Sequence, residues 1–193
     1  MKKSVLFICT DQWRWDCFGF MKHKNILTPN IDKLAKKSTV FTSHFAGIVP
    51  CGPARTTMLT GLYPFVHRSV TNGAPLDKRF TNIAKEAKKK GYDPKLYGYT
   101  DTSWDPRYLD NDSEKNFTYE SPMEGFDPVC HLPQGNPILW ANYLNENGFK
   151  INDAKDLYKY RKPKKGKGFI HEPYKIPTEH SDTSFLATQA IKD

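Results

Sequence analysis

The chain has 193 residues, 38% hydrophobic and 13% aromatic, which supplies a packed core and excludes a chain kept disordered by polarity. No stretch approaches the ~18 consecutive apolar residues that a membrane-spanning helix needs, so no membrane span is expected. The formal net charge of +8 suits an anionic substrate; no nucleic-acid recognition motif accompanies it, and Lys88, Lys89, Lys90 and the lysines of 162–167 read as solvated faces.

Met1-Lys2-Lys3 precedes an apolar run that is too short for a secretory leader, and Asp11 follows with no small-residue cleavage site. The run is therefore expected to be the first strand of a cytoplasmic protein. Ser4 to Thr10 is continuously apolar, the pattern of a buried parallel strand, and it ends on Thr10-Asp11. Ligands of open α/β sheets bind at such strand ends. Thr28-Pro29-Asn30 opens a helix, with Thr28 at the N-cap, Pro29 in the first position and Ile31, Leu34 and Ala35 as its apolar face. Thr39 to Thr42 reads as a short strand.

Gly47 to Pro64 is dense in turn residues and then becomes helical, with Pro53 in a first turn, Met58 and Leu59 toward the core and Gly61 as the stop. Asn82 to Lys90 is a helix stopped by Gly91, and Lys95 to Tyr99 is the next strand. Residues 101–134 carry many prolines and read as a long loop. Pro137 to Asn147 is a helix ended by Gly148. Residues 161–178 read as a basic Pro/Gly loop, and Ser181-Asp182 caps a last helix over Thr183 to Lys192. This alternation of strands and helices predicts an α/β class. The last helix has no stop signal, so the expectation is an N-terminal portion, incomplete at its C-terminus.

Three segments would converge at the strand ends: Asp11-Gln12, Cys51 to Arg55, and Tyr99 to Thr102. Cys51 stands where a helix begins, and free N–H groups and the helix dipole favour negative charge there. Arg55 follows one turn later, so both residues can face one anion, and a guanidinium fork suits sulfate or phosphoryl oxygens. Asp11 is a hard oxygen donor suited to Ca²⁺, Mg²⁺ or Mn²⁺. Thiolate phosphatases place cysteine and arginine at a longer interval, and a thiolate pairs poorly with a hard cation. Cys9, Cys17 and Cys130 form no CxxC metal pair and no dense disulfide framework.

Cys51-Gly52-Pro53-Ala54-Arg55, followed by Thr56-Thr57-Met58-Leu59-Thr60-Gly61, closely resembles the sulfatase signature. Asp11-Gln12-Trp13-Arg14, His67-Arg68 leading to Asn72, and Gly91-Tyr92-Asp93-Pro94 leading to Gly98-Tyr99-Thr100 resemble its phosphonate monoester hydrolase branch. The resemblance implies an alkaline-phosphatase-like fold, with a mixed sheet flanked by helices. It implies that a formylglycine-generating enzyme oxidises Cys51 to formylglycine, whose hydrate is a geminal diol that attacks phosphorus or sulfur. It further implies a divalent metal ion held by Asp11, Gln12 and the matured Cys51, Arg55 beside the nucleophile, and Asn72 and Tyr99 approaching a small anionic ester. A homo-oligomer of the full-length enzyme is compatible with it.

The family often carries threonine after the tyrosine-threonine pair, whereas Asp101 intervenes here before Thr102. Further metal ligands of the family cannot be placed in this chain, so the isolated 193 residues are expected to show little turnover. Ordinary readings stand beside these: Asp11 as a helix cap, Gln12 bonding a loop, Asn72 in an Asn-Gly turn, Tyr99 as core packing, His67 as structural. The nearest rival activity is a sulfatase acting on sulfate esters, which the unpaired aspartate of Asp11-Gln12 argues against. An inactive binding fragment is the rival of another class.

Overall fold

A computed structural model of the chain describes residues 3–110, 120–158 and 174–193. It divides into two compact units, Met1–Ala46 and Gly47–Asp193. The lysine-rich segment 162–167 and most of the loop expected over 161–178 lie outside the described residues, as does the stretch 111–119 of the earlier loop.

In the first unit, helix α1 spans Pro29–Ala35, with proline in the first turn as expected. Thr28 precedes it but makes no cap bond to the helix backbone. Its hydroxyl instead donates to Asp32 Oδ1 at 2.7 Å and accepts from the Gly19 N–H at 2.8 Å. Asp32 Oδ1 also accepts from the Phe20 N–H at 2.9 Å, so one carboxylate ties the Gly19–Met21 turn to the helix. Leu34 is exposed, contrary to the expected apolar face. The rings of Trp13, Phe18 and Phe20 stack in series, and Trp13 Nε1 donates to the Cys17 carbonyl at 2.9 Å.

Two expected strands are corrected in this unit. Ser4 to Thr10 belongs to no ladder among the described residues, and Val5, Leu6 and Ile8 are exposed. Thr39 to Thr42 forms no strand either, and Phe41 is exposed. Apolar composition favours a strand, but a strand exists only where a neighbour completes its hydrogen bonds, and none of the described residues does so.

The second unit contains helices α2 (Cys51–Thr60), α3 (Pro64–His67), α4 (Ile83–Lys89), α5 (Ile138–Glu146) and α6 (Asp182–Lys192). Strands β1 (Lys95–Gly98) and β2 (Asp127–His131) pair in parallel, with Lys95 opposite Asp127, Tyr97 opposite Cys130 and Gly98 opposite His131. Strand β2 corrects the expectation of an uninterrupted loop over 101–134. The pairing is extended at both ends, where the Asp127 N–H donates to the Pro94 carbonyl and the Leu132 N–H to the Gly98 carbonyl. A parallel pair joined through a crossover is the unit of an α/β fold, as predicted.

The elements stop where the local chemistry stops them. Gly61 takes a left-handed conformation (φ 70°) after α2, and its N–H donates to the Thr57 carbonyl. Asn82 caps α4 by accepting from the Lys85 N–H, and Ser181 caps α6 by accepting from the Ser184 N–H. Two apolar clusters hold the unit. The larger gathers Leu132, Trp140, Leu144, Leu157 and Phe185 around Cys130; the smaller joins Leu59 of α2 to Leu76 and Met123. Helix α2 buries Gly52, Pro53, Thr56 and Leu59. Met58 was expected in the core and is instead 45% exposed, because it lies about 100° around the helix from Leu59. Among the described residues, no helix is long and apolar enough to cross a membrane.

Candidate active site

Helix α2 begins at Cys51, a partly buried residue. Its first turn does not rely on a side-chain N-cap, since Pro50 occupies that position. Asn72 meets the need instead, and its Oδ1 accepts from the Gly52 N–H at 2.7 Å. The orphan donors of a helix start are thus partly answered from a separate loop, which fixes that loop beside residue 51. The same loop is tied to the turn after β1, because the Gly73 N–H donates to the Asp101 carbonyl at 3.0 Å.

Gly52 lies between these segments. A β-carbon there would stand 2.7 Å from the Asp101 carbonyl oxygen and 2.9 Å from Asn72 Cα, closer than real contacts allow. The residue after Cys51 is therefore one that only glycine fits, a signal present in the sequence as Cys51-Gly52.

Arg55 projects one turn along α2 and is held on three sides. It donates to the Tyr99 carbonyl at 3.2 Å, its guanidinium carbon lies 4.7 Å from the centre of the Tyr99 ring, and it pairs with Asp101 Oδ2 at 3.4 Å. Planar guanidinium groups favour such stacking and forked contacts. The Arg55 and Asp101 side chains are 12% and 5% exposed, so the pair is only weakly screened by water. Asp101 adopts a left-handed backbone conformation (φ 56°), one that aspartate tolerates better than most side chains. Sequence reasoning noted Asp101 only as a departure from a pattern.

Thr102 is buried and its hydroxyl bonds to Thr100, while Thr100 donates to the Ser121 carbonyl at 2.7 Å. His67 is also buried. Its Nδ1 accepts from the Ser69 N–H at 3.0 Å, which leaves Nε2 to carry the proton and donate to Thr57 Oγ1 at 2.9 Å. Thr57 passes the chain on to the Pro53 carbonyl at 3.0 Å. This arrangement fits a neutral imidazole, and burial pushes the His67 pKa down.

Cys51, Arg55, Asn72 and Tyr99 thus gather at one end of α2, within the second unit. Asp11 and Gln12 belong to the first unit, where they form an exposed bend, Gln12 with a φ of 50°. Among the described residues no group of three or more His, Cys, Asp or Glu side chains could hold a metal ion. The second unit offers a helix N-terminus and a buried guanidinium, which together can bind an anion against residue 51.

Comparison with known proteins agrees with that chemistry. The family model for sulfatases matches residues 3–187. The chain is 35% identical over 196 aligned residues to the multifunctional alkaline phosphatase superfamily protein PehA of Trinickia caryophylli, covering 98% of this chain and 38% of that protein. It is 31% identical over 126 residues to an ulvan-active sulfatase of Formosa agariphila, covering 65% of this chain and 23% of that protein. Among solved structures, the phosphonate monoester hydrolase of Silicibacter pomeroyi superposes with a TM-score of 0.88 at 38% identity, over 100% of this chain and 38% of that one. The phosphonate monoester hydrolase of Agrobacterium radiobacter does so at 0.85 and 39% identity, over 94% and 36%. The chain thus shares the α/β, alkaline-phosphatase-like fold of these enzymes and spans little more than a third of their length.

Proposed function

The chain belongs to the sulfatase family, and on that premise we propose that the whole protein hydrolyses phosphonate monoesters and phosphate diesters, with some cleavage of sulfate esters. The observation that carries this reading is the placement of Cys51 at the start of α2, with Arg55 one turn on and buried against Tyr99 and Asp101.

Residue 51 is proposed to be formylglycine, installed by a formylglycine-generating enzyme. The position fits that group: an oxygen nucleophile and the anion it attacks would both be stabilised by the helix N-terminus and the guanidinium. When formed and hydrated, the group supplies a hydroxyl nucleophile that a thiol cannot replace. Arg55 binds the non-bridging oxygens of the ester, and its charge meets the charge that builds up on them in the transition state. Tyr99 holds the guanidinium from its ring face and its carbonyl. Asn72 keeps the helix start and its loop in register and borders the substrate through the same amide.

Asp11 and Gln12 are the oxygen donors this chain would offer to a hard divalent cation, which would neutralise substrate charge.

A sulfatase acting mainly on sulfate esters is the second reading, favoured by the 31% identity to the ulvan-active sulfatase. The intact protein, co-expressed with a formylglycine-generating enzyme, separates the two. The peptide containing residue 51 should show by mass spectrometry an aldehyde in place of the thiol. Turnover of a p-nitrophenyl phosphonate monoester should exceed that of p-nitrophenyl sulfate, and Cys51→Ala should lower it by about a thousandfold or more. An unmodified thiol in a fully active preparation would sink the proposal.

A further inference from the structure

The turn after β1 carries Tyr99 and Asp101, both of which hold Arg55, and its shape is not one the chain adopts unaided. Gly98 stands at a φ of 104° and Asp101 at 56°, and a left-handed residue with a side chain persists where its surroundings fix it. Between them the buried Thr100 hydroxyl donates to the Ser121 carbonyl at 2.7 Å and accepts from the Thr102 hydroxyl at 3.0 Å. Ser121 is a firm support, because the segment 120–124 is tied down at both ends. The Glu120 carbonyl accepts from His131 Nε2 at 2.8 Å, and its carboxylate accepts from the Gly135 N–H at 2.9 Å. The Glu124 carbonyl accepts from Asn82 Nδ2 at 2.8 Å, and its carboxylate from Lys85 Nζ at 2.7 Å. Met123 is buried in the apolar cluster that contains Leu59 of α2.

We propose that Thr100 is a positioning residue for the reaction: its hydroxyl hangs the Tyr99–Asp101 turn from the Ser121 carbonyl and thereby sets where Arg55 stands relative to residue 51. Thr100 acts through Tyr99 and Asp101 and not on the ester. The bond from the Gly73 N–H to the Asp101 carbonyl ties the turn to another part of the site, whereas the Thr100 bond ties it to a segment anchored outside the site. A slightly displaced guanidinium still attracts a bound anion but no longer meets the charge that develops on it, so the loss falls on kcat rather than KM. This inference rests on the hydrolase reading and deepens it.

The test uses variants of the intact, matured protein, assayed well below their unfolding midpoints on the p-nitrophenyl ester that the wild type turns over fastest. Thr100→Val keeps the shape and removes the hydroxyl, and Thr100→Ser keeps the hydroxyl. Trp104→Phe is the structural control: it removes the 3.0 Å bond from Trp104 Nε1 to the Pro122 carbonyl, a tie between the same two segments beyond the site turn. Thr100→Val should lower kcat about tenfold with KM within about twofold, while Thr100→Ser and Trp104→Phe should keep kcat within about threefold of the wild type. Wild-type kcat in Thr100→Val, no rescue by serine, or an equal loss in Trp104→Phe would each overturn the assignment. Thr100→Ala carries the same expectation as the valine variant and replaces it if that variant does not fold. A second measurement needs no turnover. Hydrogen exchange at the Gly73 N–H, which lies 3.0 Å from the Asp101 carbonyl, should quicken about tenfold in Thr100→Val and stay unchanged in Thr100→Ser and Trp104→Phe. An unchanged rate in Thr100→Val overturns the proposal. Quickened exchange in a protein that hydrolyses no ester supports the placement of the turn and counts against the proposed reaction alone.

Discussion

His67 shows how much one side chain can carry at the base of a site without touching the chemistry. It links the Ser69 backbone to Thr57 of α2 and through it to the Pro53 carbonyl, so it holds α3 against the helix that bears Cys51. Both ring nitrogens are used in the neutral form, and burial keeps the pKa below its ordinary 6.5. The unfolded chain therefore takes up this proton more readily than the folded one. The group leaves stability unchanged above about pH 6.5, lowers it as pH falls through that value, and levels off only below the depressed native pKa. Urea unfolding of the intact protein between neutral pH and about pH 5 should show this decline, and His67→Gln should flatten it. A slope that survives the substitution would assign the proton to another group. Asp101, by contrast, had no signal of its own in the sequence: its partner Arg55 is distant along the chain, and its side chain reaches that partner only from a left-handed backbone. Cys51 and Arg55 were legible because one helix spaces them and Tyr99 because it ends an expected strand, whereas Asn72 came into view only through family resemblance.

Helices were read well and strands poorly, and the reason is the range of the interactions that define them. The stops at Gly61, Gly91 and Gly148 and the cap at Ser181 are local, and the structure has each of those glycines at positive φ. Strand β2 was missed because Asp127-Pro128-Val129 reads as a break, and proline is tolerated there only near a strand end. The strands expected over Ser4–Thr10 and Thr39–Thr42 find no pairing among the described residues, which local pattern cannot foresee. Asn82 shows a cap with a second duty. Its Oδ1 accepts from the Lys85 N–H at 3.0 Å while its Nδ2 donates to the Glu124 carbonyl at 2.8 Å, tying α4 to the segment before β2. Asn82→Asp keeps the cap and loses the second bond; Asn82→Ala loses both. The alanine variant should be less stable than the aspartate variant by about 1 kcal/mol, the worth of a cap, in denaturant unfolding of the intact protein. Equal stabilities would mean that the cap contributes nothing.

At the scale of the second unit, stability and the site are carried by different apolar clusters. Leu144 is fully buried in the larger one, beside Trp140 and Phe185. Met123 is buried in the smaller one, against Leu59 on the same helix that begins at Cys51. Truncation of either leaves a cavity in a close-packed interior, and each of Leu144→Ala and Met123→Ala should cost about 2–5 kcal/mol. Their consequences for the reaction should differ. Helix α2 can shift only if its own packing loosens, and a small displacement of Cys51 and Arg55 is enough to misalign a nucleophile with its anion. Assayed in the intact protein well below the unfolding midpoint, Met123→Ala should lower kcat/KM several-fold while Leu144→Ala leaves it near the wild-type value. Equal losses of activity would show that the two clusters act as one body, and that the site depends on the whole unit rather than on the packing beneath α2.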